Sequence, residues 1–332
     1  MGKTKLYTAT LKWKVCTCYI SRIEFFDSLV GLRNQYKKMN NKSRTTSKRT
    51  QELIDIANDL VRECPNRLGQ EVLIIGSVGM GIADDDSDID LELWVDKIPE
   101  FEDAIEWIKR LFPADTIKEN EKIPGEVAVV FRYEEVWVEA NWQKISEKEE
   151  LVKRVLTSNS ISRLENNQIF NIHNAIVLRT AGFIDKVRKH LSNYPDEIRA
   201  MIIKSSTAFW NYPHRVEMLW GLARREEILG LTTWLQADIE DALRILFAIN
   251  RQWETDWKHI NHVGQYLENK PNQLSERIHE VFSLVDLEKR VSTAQLFILD
   301  VLQLVPKEFD VSKAIENIQQ SLEKNQQQPN PA

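Results

Sequence analysis

The chain has 332 residues, 42% of them apolar and 28% charged, with a formal net charge of −6. That length and balance suit a globular protein with more than one core. The acidic balance, with a pI near 5.7, argues against a nucleic-acid partner, which needs a basic face. Three cysteines make no even disulfide framework and point to a reducing cytoplasm. No apolar run has the length of a membrane span, and Lys12 and Lys14 interrupt the only apolar stretch near the start.

In chain order, residues 1–45 read as an N-terminal extension and basic linker. Leu11, Trp13 and Val15 alternate with Lys12, Lys14 and Cys16, a strand pattern, and Phe25 to Val30 could open a helix. From Arg33 to Arg49 the chain is basic without a single acid, which favours a solvated linker over an anionic-surface contact. Met39 would serve as a natural start, so residues 1–38 could lie outside the native protein.

A first domain is expected over 46–150. Thr50 to Glu63 places Leu53, Ile56, Ala57, Leu60 and Val61 on one helical face, and Cys64-Pro65-Asn66 ends it. Val72 to Ile75 suits a buried strand, broken by Gly76-Ser77 with Gly79 and Gly81 close behind. Glycines there let backbone N–H groups approach an anion. Asp88 and Asp90 open a second strand. Alternation puts both carboxylates on one face, and Ile89, Leu91, Leu93 and Val95 on the other. Two adjacent carboxylates repel unless a cation sits between them, and Mg²⁺ with oxygen ligands is the natural occupant. A phosphate-binding turn beside metal carboxylates is a nucleotide site. Phe101 to Phe112 reads as a second helix. Val127 to Phe131 and Val136 to Trp142 read as a hairpin turning at Glu134-Glu135.

The stretch Gly76-Ser77, Gly81, Ser87-Asp88-Ile89-Asp90, between two apolar strands, resembles the signature of the DNA polymerase β nucleotidyltransferase superfamily. The resemblance implies an α+β fold: a polymerase β-like α/β core with a mixed sheet, followed by an all-α domain. It also implies a third carboxylate on a neighbouring strand, which Glu139 matches although Asp is commoner there; Glu134, Glu135 and Glu92 are the weaker candidates. Met80 departs from many members, which carry a basic residue before that glycine.

From about Leu151 the texture becomes helical, and a helical domain is expected over 151–318. Ile169, Ile172, Ile176 and Val187 mark apolar faces, with His173 beside them as a buried structural histidine. Tyr194-Pro195 and Tyr212-Pro213 read as helix starts. Thr232 to Arg251 carries Leu235, Ile239, Ala242, Leu246 and Ile249 at helical spacing. Tyr194-Pro195, Leu246 to Arg251 and Trp257-Lys258 resemble an uncharacterised helical domain found C-terminal to bacterial nucleotidyltransferase domains, over roughly 150–305. Residues 319–332 read as a disordered tail.

By this resemblance the chain transfers a nucleoside monophosphate, AMP from ATP or from another nucleoside triphosphate, to a hydroxyl of a small-molecule acceptor. Gly76, Ser77, Gly81 and Ser87 would hold the nucleotide, with Arg251 or Lys258 adding charge to the triphosphate. Asp88, Asp90 and Glu139 would hold two Mg²⁺ ions, with Glu139 also placed to act as base. Enzymes that modify aminoglycosides or lincosamides pair such a domain with a helical one. Two alternatives stand beside this: an antitoxin that AMPylates a HEPN-type toxin, making a protein the acceptor, and a non-catalytic nucleotide-binding module.

Overall fold

A computed structural model describes residues 47–111, 120–122, 127–133, 135–158 and 160–326. The N-terminal extension before Ser47, with its expected strand and helix, lies outside the described residues, as do Glu134 and the last residues 327–332. The chain divides into two compact units, one holding residues up to Ser158 together with Ser162–Asn193, the other holding residues 159–161 and everything from Tyr194.

The first unit is α+β. Helix α1 (Lys48–Glu63) buries Leu53, Ala57, Leu60 and Val61 of the stripe its spacing predicts, with Ile56 half-buried against the same core. Then come β1 (Glu71–Ile74), the single helical turn α2 (Gly76–Gly79), β2 (Ile89–Val95) and α3 (Phe101–Leu111). The short β3 (Asn120–Lys122), β4 (Ala128–Tyr133) and β5 (Val136–Lys144) follow, the last two forming the expected hairpin. The unit closes with α4 (Ile145–Thr157), α5 (Arg163–Asn174), β6 (Ile176–Arg179) and α6 (Phe183–Leu191). One six-stranded mixed sheet runs β3-β4-β5-β2-β1-β6, with β2 and β5 parallel and the other neighbours antiparallel. Ile89, Leu91, Leu93 and Val95 are all buried in one core with α1 and with Trp107 of α3, whose ring meets Trp142 edge-on. Burying such side chains contributes roughly 1.5–3 kcal/mol each.

Two expectations fail here. The boundary at 150/151 falls inside α4, and the chain from Ser162 to Asn193 packs as part of the first unit. Ile176 lies on a strand, not on a helical face: β6 pairs antiparallel with β1, setting Ile74 opposite Ile176. Polar anchors hold this return. Arg179 donates to the carbonyls of Val61, Cys64 and Gly69, covering the carbonyl end of α1 where a cation is favoured. Glu71, fully buried on β1, accepts from the backbone N–H groups of Ala181 and Phe183 at 2.9 Å and so caps α6. Arg188 donates to the carbonyls of Ile172 and Ala175. Cys64 is buried, and burial pushes its thiol up to about 11, so it is inert at neutral pH.

The second unit is helical: α7 (Asp196–Thr207), α8 (Pro213–Arg224), α9 (Ile228–Ile249), the single turn α10 (Ile260–Val263), α11 (Leu274–Ser283), α12 (Leu287–Gln303) and α13 (Ser312–Gln326). Pro213 takes the first position of α8 as expected, whereas Pro195 precedes α7. The central helix α9 buries Leu235, Ile239, Ala242, Leu246 and Ile249. It also buries Asp238, which accepts from Trp210 at 3.1 Å and pairs with Arg215 at 2.8 Å. The expected disordered tail starts too early: α13 continues to Gln326, with Ile318 and Leu322 buried. Its polar side chains serve the interior, as Asn317 donates to the carbonyl of Trp210 and Ser321 meets the Trp220 indole. Among the described residues no helix is long and apolar enough to cross a membrane.

His173 is drawn down to about 4 by burial, with the charge of Arg188 adding to it, and burial raises Asp241 to about 6 against the charge of Arg244. The two act with opposite signs on stability. Folded His173 stays neutral, so its contribution is full above its ordinary value and lost as pH falls towards 4. Folded Asp241 keeps its proton, so its contribution is full at low pH and lost as pH rises towards 6. Urea unfolding at half-unit steps from pH 4 to 7 should show Asp241→Asn cancelling a decline of the order of 3 kcal/mol, while His173→Asn cancels the opposite slope. Unchanged slopes in both variants would refute these assignments.

Candidate active site

The site grows from the geometry of β2. It lies between β1 and β5, so its side chains have neighbours on both flanks. Asp90, Glu92 and Trp94 alternate onto one face, and Asp88 stands just before the strand, exposed. The parallel register pairs Asp90 with Glu139 and Glu92 with Asn141. Partners in register point to the same face, so Asp90 and Glu139 stand side by side on strands about 4.8 Å apart. Both are partly buried. The structure thus brings together two of the three acids that the sequence singles out.

On the other flank of Asp90 is the glycine turn. The Ile75 N–H donates to the Asp90 carbonyl at 3.0 Å, and Gly76 then turns with φ +63°. A Cβ at Gly76 would run into the Asp90 carboxylate, so glycine is required there by conformation and by space. The chain enters α2 directly, with Ser77 half-buried on its first turn. The first N–H groups of a helical turn have no partner within it. Gly81 also adopts positive φ, +77°.

The loop after α2 is held by a contact with no sequence motif. The Ala83 N–H donates to the fully buried Thr50 hydroxyl at 3.0 Å, and the Ser47 hydroxyl donates to the Ala83 carbonyl at 2.9 Å. Thr50 sat on the expected helix as an ordinary first residue; a β-branched hydroxyl in a first turn was the only available signal. Further on, Ser87 is used within the loop, donating to Asp84 Oδ1 at 2.8 Å and accepting from the Asp84 N–H at 2.9 Å. Its hydroxyl thus makes both of these bonds within the loop that leads to Asp88.

Other expected participants are placed elsewhere. Glu92 is bound to Lys148 of α4 at 3.1 Å and accepts from the Trp94 indole at 2.9 Å, so it is a structural acid. Glu135 pairs with Arg132 at 2.9 Å. Met80 is buried, and no basic side chain takes its place before Gly81. Arg251 and Lys258 belong to the second unit. Arg251 is occupied there, donating to the Tyr194 carbonyl and to Asp196; Lys258 is exposed on a short 3-10 turn.

Among the described residues no three His, Cys, Asp or Glu side chains close on a common point. The donor chemistry nonetheless fits a hard divalent cation: the available groups are carboxylate oxygens only, and two of them lie in register on neighbouring strands.

The family described as "Domain of unknown function (DUF4037)" matches residues 161–260, a stretch inside the segment whose helical resemblance was expected. No curated protein matches the chain. Among solved structures, the chain is similar to a nucleotidyltransferase-like protein from Exiguobacterium sibiricum 255-15. The likeness has 10% identity and a TM-score of 0.35, covering 84% of this chain and 80% of that one, too low to establish a shared fold.

Gly76→Ala should force the left-handed position at a cost of about 1–2 kcal/mol and displace the Asp90 carboxylate. Thr50→Val, nearly isosteric, should cost about 1–3 kcal/mol by leaving the Ala83 N–H without its acceptor. Chemical denaturation of both variants checks this; wild-type stability in Gly76→Ala would mean the turn does not press on Asp90.

Proposed function

We propose that the first unit is a nucleotidyltransferase with a polymerase β-like core, moving AMP from ATP, or the corresponding group of another nucleoside triphosphate, to a hydroxyl acceptor. The observation that carries this reading is the position of Asp90, with the Gly76-Ser77 turn on one flank and Glu139 in register on the other. An anion-accepting turn and a pair of acids are then set at neighbouring points, as transfer of a phosphoryl-type group requires.

The roles follow from that order. Ser77 and the backbone N–H groups at the start of α2 would hold the β- and γ-phosphates. Asp88, Asp90 and Glu139 would hold Mg²⁺, which supplies charge neutralisation for the entering and leaving oxygens. Glu139 would take the proton of the acceptor hydroxyl as its oxygen bonds to the α-phosphorus. The bond from that phosphorus to the bridging oxygen breaks, and pyrophosphate leaves with the electron pair. The acidic surface disfavours a nucleic-acid acceptor, so the hydroxyl is assigned to a small molecule.

Incubation with α-labelled ATP, Mg²⁺ and a panel of hydroxyl acceptors, the protein itself included, tests the assignment. Asp90→Asn should abolish Mg²⁺-dependent transfer. Glu139→Gln should lower kcat far more than ATP affinity, because Asp88 and Asp90 still bind with the triphosphate. Ser77→Ala should weaken ATP binding by the order of 1–2 kcal/mol, the worth of one hydrogen bond to a charged group. Label retained on the protein would redirect the assignment to a protein acceptor, and undiminished turnover in Asp90→Asn would end it.

A further inference from the structure

Trp137 is an indole exposed by 40%, on a strand whose neighbouring side chains are buried or paired. It stands two residues before Glu139 on β5, so both point to the same face of the sheet. The β2–β5 register pairs Ile89 with Val138; continued by one residue, it sets Asp88 beside Trp137. On the other side the antiparallel register pairs Trp137 with Arg132 of β4. The Arg132 guanidinium lies over the indole, 5.7 Å from the ring centroid, and is itself held by Glu135 at 2.9 Å. An exposed aromatic ring is thus fixed by a cation–π contact within one strand repeat of both Asp88 and Glu139. Its exposed face can take a second flat group, as the Arg132 guanidinium shows for the other contact.

Its side of the site is informative. The glycine turn flanks Asp90 from β1, whereas Glu139 and Trp137 flank it from β5. In an in-line displacement the entering oxygen lies opposite the leaving pyrophosphate. If the glycine turn holds the pyrophosphate end, the acceptor must arrive over β5 and β4. We propose that Trp137, braced by Arg132, forms the acceptor subsite and selects a hydroxyl-bearing ring compound that stacks on the indole. This inference rests on the nucleotidyltransferase reading. A flat face, aromatic or the C–H face of a sugar, matches the indole; an acyclic polyol offers none.

The test uses the full chain labelled with 5-fluorotryptophan, with the Trp137 resonance assigned by its absence in Trp137→Phe. The probes are methyl β-D-glucoside and p-cresol as ring hydroxyls and glycerol as the acyclic control. A ring probe should shift the Trp137 resonance while glycerol leaves it in place, and which of the two acts decides between a sugar and a phenol. Trp137→Ala should raise KM for that ring acceptor by roughly tenfold, the loss of one stacking face. Trp137→Phe should restore most of it, with the change confined to KM for the acceptor and KM for ATP little moved. A resonance unmoved by both ring probes, or moved equally by glycerol, would overturn the subsite while leaving the transferase reading intact. A shift in a wild-type protein that transfers no AMP label to any hydroxyl acceptor, itself included, would instead overturn the transferase reading, and the acceptor role with it.

Discussion

A carboxylate can be buried only where something compensates its charge, and this constraint orders the polar face of the central strand. Along that face the acids become steadily more enclosed. Asp88 is exposed before the strand begins, and Asp90, Glu139 and Glu92 are partly buried. At the far end, Glu71 on β1 is fully buried opposite Trp94. Each enclosed acid has its own donors, all of those on Glu71 falling on Oε1 while its Oε2 has none. Glu92 has the buried Lys148, whose ammonium also lies 5.6 Å from the Trp94 ring centre, and Glu71 has two backbone N–H groups at the start of α6. Helices α4 and α6 are therefore held on the sheet by the acids they neutralise as well as by apolar packing.

The same constraint explains why the chain from Ser162 to Asn193 returns to the first unit. Without α6 the Glu71 carboxylate would lose its donors, and without Arg179 the end of α1 would lose the donor to two of its carbonyls and Gly69 the donor to its own. None of this is visible in local periodicity. Strand β6 is four residues long, flanked by two helices, and its apolar residues continue the helical spacing of α5. A window that averages over helical turns absorbs Ile176 and misses the pairing with Ile74. The partners lie a hundred residues apart in sequence, where no spacing rule reaches.

What was legible has an equally physical basis. The β2 strand announces itself because alternation is a local property, and the buried set Ile89, Leu91, Leu93 and Val95 is the set its pattern predicts. The turn at Gly76 was legible because only glycine combines positive φ with room for a neighbouring carboxylate. The partnership of Asp90 with Glu139 depended on which strands become neighbours, and the hints were a strand-embedded acid and the motif resemblance. Thr50 and Ser47 left little, since a hydroxyl that anchors a loop more than thirty residues away reads as part of an ordinary helix start. The two bonds that Ser87 makes to Asp84 were likewise not legible from its place in the motif.

The helical unit carries the same logic without a sheet. Asp238 sits in the middle of its longest helix, where an apolar residue would cost less to bury. Burial raises its pKa, while Arg215 and the Trp210 indole lower it. Arg215 in turn stacks on Trp234, 4.3 Å from its ring centre. Such a group penalises any packing that separates it from its partners, because an unpaired buried charge costs more than the pair contributes. Non-directional apolar contacts tolerate sliding of one helix against another; a buried ion pair does not. Arg251, at the end of that helix, is also engaged within the unit, in a more exposed pair. It takes positive φ and spends its guanidinium on the Tyr194 carbonyl and on Asp196, tying the end of α9 to the start of α7. Its place in a sequence resemblance therefore has a structural cause within its own unit, one that requires no contact with a nucleotide.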